Sequence, residues 1–151
     1  RVTPLIKENW DAIGITTTLE PLQSAAVYAP EKVGGQNFDV LAAPGDPSVF
    51  GNDGDLLLSW FYRGDTWAKN RMAWSGTPEY ADVQAKLDQA VQLEPAEAKK
   101  LHAAVVDIVA EEAPLYPLFH RRLPTAWDGG TLDGFAPLPT TGLSFVGVGR
   151  K

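Results

Sequence analysis

The sequence predicts an α/β fold in which a mixed sheet is flanked by helices. Strand-like and helix-like segments alternate in the first third of the chain, which is typical of mixed α/β architectures. Further along, two amphipathic helices lead into a short apolar strand. The composition is that of a globular protein, since 44% of the 151 residues are hydrophobic and 21% are charged.

The N-terminal third predicts two helices and two strands in alternation. Residues 3–13 carry the signals of a helix, with Thr3 as the N-cap, Pro4 in the first turn and Gly14 as a left-handed C-cap. Residues 15–20 contain three threonines among apolar neighbours, which favours a strand. A further helix and a further strand are expected over residues 22–33 and 38–43.

The middle of the chain predicts three helices separated by irregular segments. A loop over residues 44–54, rich in glycine and proline, leads into a helix over residues 56–62 that Asp55 can cap. Residues 63–76 are polar and rich in tryptophan, so we expect them to be irregular. Two amphipathic helices follow, over residues 78–92 and 95–112.

The last part of the chain predicts two short strands joined by a crossing segment. Pro114 ends the second amphipathic helix, because a proline ring clashes with a continuing helix. Residues 115–120 then have the apolar content of an edge strand. Residues 127–142 are rich in glycine and proline, which is typical of a connecting segment. A last strand is expected over residues 143–148.

A series of short motifs, in a fixed order, carries a resemblance to a known protein family. The motifs lie in nearly every predicted element: Trp10, residues 13–15, residues 19–22, residues 38–40, Leu87, Asp88, Ala90, Glu112, Ala113, Pro114, Tyr116, residues 125–127, Gly134 and Phe135. In this order they resemble the C-terminal part of the extracellular solute-binding proteins that serve ABC importers of the peptide/nickel class.

The resemblance implies one lobe of a two-lobed, periplasmic-binding-protein-like fold that closes around its ligand by hinge motion. Proteins of the family are several times larger than 151 residues, so we expect this chain to be a C-terminal fragment. Its opening helix, which no strand precedes, and the lack of a signal peptide agree with that expectation. Residues 1–127 would form the C-terminal lobe, and residues 128–151 would return toward the N-terminal lobe.

The loop after the strand over residues 38–43 supplies the charged candidates for ligand binding. Ligands of open α/β sheets bind beyond the carboxyl ends of strands. In the family this loop carries a Trp followed by an Asp that pairs with the amino terminus of a peptide. Asp46 lies in about that position, but Pro44 and Gly45 stand where the Trp is expected, and Asp53 is the competing candidate. Asp46 can equally accept backbone N–H groups in a turn.

Aromatic residues supply the other candidates for ligand contact. Trp67 and Trp74 lie among polar residues, so they are expected to face the ligand or the opposing lobe, whereas Trp60 is expected in the core. Tyr116 is the preferred contact on the strand over residues 115–120, because only one face of a strand can reach the cleft. Packing in the core is the alternative for Tyr116.

The resemblance implies noncovalent binding of a small solute, with an oligopeptide as the expected ligand. Binding would take place outside the cytoplasmic membrane, in the periplasm or on a cell-surface lipoprotein, and the ligand would pass to an ABC permease. The other partner would be the N-terminal lobe of the same protein. A metal chelate or a sugar is the alternative ligand, since the Trp before Asp46 is missing. A protein-interaction domain that uses exposed aromatics is the second class.

Composition and motifs argue against the remaining classes. The net charge of −6 opposes binding to nucleic acid. The chain has no cysteine, so it can form no disulfide and no cysteine metal site, and it contains no hydrolase or phosphate-binding motif. We therefore expect no enzyme, no cofactor and no metal. A hydrolytic pair of Asp46 and His120 would need the two side chains within hydrogen-bond reach.

Overall fold

The computed structural model describes residues 2–45, 47–119, 122, 124–138 and 143–151. The chain divides into two compact units, Arg1–Pro44 and Gly45–Lys151. The described residues are mostly helical, and they contain one sheet of two short strands. The prediction of an α/β fold with a mixed sheet flanked by helices is therefore wrong, because the architecture is mostly helical.

The N-terminal unit contains three helices among its described residues. They are α1 Val2–Ala12, α2 Ser24–Val27 and α3 Pro30–Val33. The helix predicted over residues 3–13 is confirmed, and Gly14 after it has a φ of +88°, as a left-handed cap requires. The helix predicted over residues 22–33 is broken in two before Pro30. The strands predicted over residues 15–20 and 38–43 are wrong, since both segments are irregular.

Side chains of α1 supply backbone partners that a neighbouring strand would otherwise provide. The N–H of Thr17 donates to Oδ1 of Asp11 at 2.9 Å, and the carbonyl of Thr17 accepts from Nζ of Lys7 at 2.6 Å. The hydrogen bond from Lys7, and after it that from the N–H of Thr17, hold the pKa of Asp11 below its ordinary value. The strand-like residues 15–20 are thus hydrogen-bonded at Thr17 by side chains of α1, and they do not pair with another strand.

The C-terminal unit is built from helical elements followed by a small antiparallel sheet. In the described residues these elements are a 3₁₀ turn Pro47–Phe50, α4 Gly54–Tyr62, a π-helix Gly64–Lys69, α5 Pro78–Ala90, α6 Pro95–Glu112, β1 Leu132–Asp133 and β2 Gly149–Arg150. The helices predicted over residues 56–62, 78–92 and 95–112 are confirmed. In the sheet, Leu132 lies opposite Arg150.

Local signals explain where α5 and α6 begin and end. The hydroxyl of Thr77 accepts the N–H of Tyr80 at 3.1 Å, which caps the N-terminus of α5. Pro95 opens α6, where its missing N–H costs nothing. At the other end, Ala113 has a φ of +45° and its N–H donates to the carbonyl of Val109, after which Pro114 prevents continuation.

The core of the C-terminal unit lies between α4, α5 and α6. Six buried side chains form one cluster: Leu58, Trp74, Val83, Leu87, Val105 and Val109. Leu87, Val83 and Val105 are the largest fully buried side chains of the described residues. Their spacing along α5 and α6 is the apolar stripe of an amphipathic helix, so the two helices pack stripe against stripe.

The strands predicted near the C-terminus are also wrong. Residues 115–119 are irregular and residue 120 lies outside the described residues. Residues 143–148 are irregular too, and the strand β2 begins only at Gly149. A strand needs neighbours with which to pair, and the described residues offer β1 alone, which is two residues long.

None of the helices in the described residues combines the length and the apolar content needed to span a bilayer. The longest, α6, has 18 residues and carries charged side chains on its outer face, such as Lys99, Lys100 and Asp107. Its buried stripe faces α5 instead. The apolar surface of this helix is thus used within the unit.

Replacement of Leu87 by Ala tests the core between α5 and α6. Leu87 is fully buried, so Leu87→Ala removes packed methyl groups and leaves a cavity that should cost about 2–5 kcal/mol of unfolding free energy. Leu56→Ala is the matched control, because Leu56 of α4 is 49% exposed and its loss should stay within about 0.5 kcal/mol. Urea denaturation measures both. Equal losses in the two variants would contradict this core.

Candidate functional site

The connection from α4 to α5 has an unusual backbone. Gly64 has a φ of +65° and opens the π-helix, and Ala73 beyond it has a φ of +53°. A left-handed backbone at a residue other than glycine costs about 1–3 kcal/mol. Single turns of π-helix are rare and often lie at functional sites. This connection is therefore the candidate binding region.

Arg63 anchors the start of the connection to α5. Its Nε donates to Oε1 of Gln84 at 3.1 Å, and its Nη2 forms an ion pair with Asp88. Gln84 in turn donates from Nε2 to the carbonyl of Tyr62 at 3.0 Å. Asp88 of the family-like motif is thus a structural anchor in this chain. Gln84 and Asp88 are four residues apart and share one helix face, which is the sequence signal for this contact.

The tryptophans divide between interior and surface differently from the prediction. Trp67 and Trp74 are 7% and 5% exposed, whereas Trp60 is 54% exposed. The prediction that Trp60 packs in the core is wrong, because α4 is short and places Leu58 on its buried side instead. As ligand contacts, Trp67 and Trp74 stay a prediction, and they offer little surface to a ligand.

Edge-to-face contacts hold the buried tryptophans in place. The ring of Trp74 meets those of Tyr62 and Tyr80 at centroid distances of 6.1 and 5.6 Å, both nearly perpendicular. Trp67 meets Phe61 at 5.0 Å, and the guanidinium of Arg71 lies 4.2 Å from the centre of a Trp67 ring. Pairs of this geometry are each worth about 0.5–1.5 kcal/mol beyond area burial. These ring contacts therefore fix the connection from α4 to α5 against the buried side of the unit.

A shallow surface depression of about 180 Å³ opens on this connection. It is lined by Ser59, Trp60, Arg63, Gly64, Asp65, Thr66 and Trp67, and we call it the Trp60 depression. Its charged groups have partners, since Arg63 pairs with Asp88 and Asp65 accepts from Lys69 at 3.1 Å. Its wall can therefore stack a ligand on the exposed indole and hydrogen-bond it through the hydroxyl of Thr66, but it offers no unpaired fixed charge for an ion.

Two buried polar atoms at the Trp60 depression have no hydrogen-bond partner among the described residues. They are the hydroxyl oxygen of Ser59 and Nε1 of Trp67. An unsatisfied buried polar group costs about 1–3 kcal/mol. Both atoms are enclosed by protein, so they lie behind the wall of the depression rather than on its surface. A second depression, of about 350 Å³, is lined by Thr125, Ala126, Trp127 and Gly129, but it is nearly flat.

The structure gives the other sequence-predicted site residues separate places. Asp53 is the N-cap of α4, because its Oδ1 accepts the N–H of Leu56 at 2.9 Å. The prediction that Asp55 caps this helix is therefore wrong. Gly45 lies against Phe61, whose ring would be 3.5 Å from a Cβ added at Gly45. Asp46 lies outside the described residues.

Tyr116 lies in an irregular segment and is 77% exposed, so the structure does not pack it in the core. The hydrolytic alternative paired Asp46 with His120, and both residues lie outside the described part of the chain. Within residues 2–45, 47–119, 122, 124–138 and 143–151, no three His, Asp or Glu side chains converge to hold a metal ion.

Sequence reasoning missed one contact between α4 and α6. The imidazole of His102 lies against the first turn of α4, where its Nδ1 would be 3.1 Å from a Cβ added at Gly54. Its Nε2 is 3.8 Å from Oδ1 of Asp55, which is beyond hydrogen-bond range. The signal in the sequence is the glycine at the start of α4, where the absence of a Cβ makes room for a side chain from another helix.

Replacement of Asp53 separates its capping role from a role in ligand binding. Asp53→Ala removes the acceptor for the N–H of Leu56 and should lower the unfolding free energy by about 0.5–2 kcal/mol. Asp53→Asn keeps a good cap without the charge, so it should unfold like the wild type in urea. If Asp53→Asn is destabilised as much as Asp53→Ala, the capping role is contradicted. If Asp53→Asn has the stability of the wild type but has lost affinity for the ligand, the carboxylate of Asp53 contacts the ligand.

The titration of Tyr62 tests the packing of the aromatic cluster. Burial raises the pKa of Tyr62 above its ordinary value of 10.0. The neutral phenol is favoured in the folded state, so its contribution to stability is complete below pH 10 and is lost as pH rises through the raised pKa. The difference in tyrosinate absorbance between wild type and Tyr62→Phe should be centred above pH 10. A midpoint at or below that value would contradict the burial.

Comparisons with known proteins do not assign the chain to a family. No protein-family model matches it, and no curated protein matches it significantly. The resemblance to solute-binding proteins therefore rests on the motifs in the sequence. Of those motifs, the structure assigns local roles to Asp88, which anchors the connection, and to Ala113 and Pro114, which end α6.

Proposed function

We propose that this chain takes part in noncovalent capture of a small solute outside the cytoplasmic membrane, for delivery to an ABC permease. The Trp60 depression is its contribution to the binding site. The observation that carries this proposal is the exposed indole of Trp60, more than half of which is open to solvent beside a depression of about 180 Å³. A large aromatic surface in such a place gives a ligand contact area with little entropy to lose.

The wall around Trp60 favours an oligopeptide over an anionic metal chelate. Arg63 and Asp65 already have ion-pair partners, so the wall lacks a free cation that would attract a negatively charged chelate. The exposed hydroxyl of Thr66 can bond peptide N–H and carbonyl groups. The indole can stack apolar or cationic side chains of varied sequence. These properties suit a ligand recognised by its backbone more than by one side chain.

The Trp60 depression is open on one side, so tight binding needs a second wall. Ligand sites usually enclose most of their ligand, and this depression is shallow. In the proposed function the second wall comes from the N-terminal lobe of the same protein. The 151-residue chain by itself should then bind peptides weakly or not at all.

Calorimetry with a defined set of short peptides tests the proposal on the protein that carries both lobes. Trp60→Ala should weaken peptide binding about tenfold or more, as expected for a central aromatic contact. Trp127→Ala is the matched control, because Trp127 is also exposed but lies outside the Trp60 depression. Its affinity should stay within about twofold of wild type.

Two results would contradict the proposal. One is equal peptide affinity in wild type, Trp60→Ala and Trp127→Ala. The other is micromolar peptide binding by the 151-residue chain alone, since one open wall should not reach that affinity. Binding of sugars but not of peptides in the same assay would keep solute capture and change the ligand class.

A further inference from the structure

The guanidinium of Arg63 has hydrogen-bond donors that the protein does not use. An arginine side chain carries five N–H groups in a planar fork. In Arg63, Nε donates to Oε1 of Gln84, and Nη2 pairs with the carboxylate of Asp88. Among the described residues, no side chain or carbonyl accepts a hydrogen bond from Nη1. Its N–H groups are therefore available to a molecule from outside the chain.

The unused donors belong to a side chain that is held in place. Gln84 and Asp88 lie one turn apart on α5, so they contact the guanidinium from the same helix face. Gln84 is itself bonded to the carbonyl of Tyr62 at 3.0 Å. The fork of Arg63 therefore loses little rotamer entropy when it bonds a ligand.

Arg63 lines the Trp60 depression together with Trp60 and Thr66. Its side chain is 31% exposed, so the guanidinium is not enclosed by protein as the hydroxyl of Ser59 is. An exposed indole, a hydroxyl and a fixed N–H fork thus meet on one wall of about 180 Å³ of space. A small solute that stacks on the indole has its polar groups beside this fork.

The charges around Arg63 favour a neutral acceptor over an anion. The carboxylate of Asp88 compensates the guanidinium, and Asp65 of the same depression is paired with Lys69. An anionic ligand would approach Asp65 and Asp88 as well as Arg63, and like charges repel. The carbonyl oxygen of an amide accepts from an N–H group without this repulsion.

We propose that Arg63 is the residue of the Trp60 depression that recognises the carbonyl oxygen of a neutral amide in the bound solute. Gln84 and Asp88 are positioning residues, which act through Arg63. This inference rests on the proposed function, because it assigns an acceptor to the same depression. It narrows the ligand class to solutes that carry an apolar or flat group close to an amide carbonyl.

Ligand titrations by NMR on the isotope-labelled 151-residue chain test the inference, because NMR detects binding in the millimolar range. The probe is N-acetylleucine methylamide, a neutral molecule with amide carbonyls and an apolar side chain, and the indole N–H of Trp60 reports its binding. Arg63→Lys keeps a positive charge beside Asp88 but loses the fork, so it should weaken binding about fivefold or more. Gln84→Ala is the matched control. It leaves Arg63 all its donors and its contact with Asp88, so the affinity should stay within about twofold of wild type.

Thioamide analogues of the probe identify the acceptor atom. Each analogue replaces one carbonyl oxygen by sulfur, which is a weaker acceptor. One analogue should bind the wild type about threefold or more weakly than the parent probe, whereas Arg63→Lys should bind the parent and the analogues alike. N-acetylleucine, which has a carboxylate in place of the methylamide, should bind the wild type no more tightly than the parent. Its affinity should rise in Asp88→Asn, where the guanidinium is no longer compensated.

Three results would overturn the role of Arg63. They are equal losses of affinity in Arg63→Lys and Gln84→Ala, thioamide effects that are the same in wild type and Arg63→Lys, and an indole N–H that does not respond to tens of millimolar probe. Tighter binding of N-acetylleucine than of the methylamide to the wild type would overturn the neutral acceptor. If Trp60→Ala nevertheless weakens peptide binding in calorimetry, only this inference is refuted. A response to the probe that depends on Arg63, without peptide binding in calorimetry, refutes only solute capture.

Discussion

The packing of α5 against α6 is the contact on which the rest of the C-terminal unit depends. Leu87, Val83 and Val105 are fully buried where the two helices meet, and Leu58 brings α4 onto the same cluster. Burial of apolar surface is worth about 25 cal/mol per Å², so a few such side chains supply much of the stability of a small unit. The positions of α4 and of the connection that follows it are set by this core.

The Trp60 depression inherits its shape from that core through a short chain of contacts. Arg63 ties the end of α4 to Asp88 on α5, and Trp74 inserts its ring into the core from the far end of the connection. The π-helix lies between these two anchors, so both of its ends are held against the helical core. An irregular backbone thus obtains a defined geometry from regular neighbours, which is how rigid scaffolds commonly carry binding loops.

The sequence predicted the helices well and the strands badly, for a physical reason. A helix satisfies its backbone within itself, so the stripe through Leu87 and the proline at position 95 were enough to place α5 and α6. A strand depends on distant partners, and residues 15–20 found the side chains of α1 instead. The burial of the tryptophans at the candidate site was also predicted wrongly. Trp60 is exposed because α4 turns Leu58 to its buried side, and Trp74 is buried because the connection through the π-helix brings it back to the core, which no local pattern indicates.

The alanine at the end of α6 has a consequence for the direction in which the chain leaves that helix. Ala113 holds the left-handed conformation that glycine adopts freely, and for a residue with a Cβ this conformation costs about 1–2 kcal/mol. A glycine there would relieve that strain but would also free the direction in which the chain leaves the helix. Alanine narrows the exit at the position just before Pro114. The chain therefore leaves α6 in a more restricted direction than a glycine would allow, at a conformational cost that a single substitution would relieve.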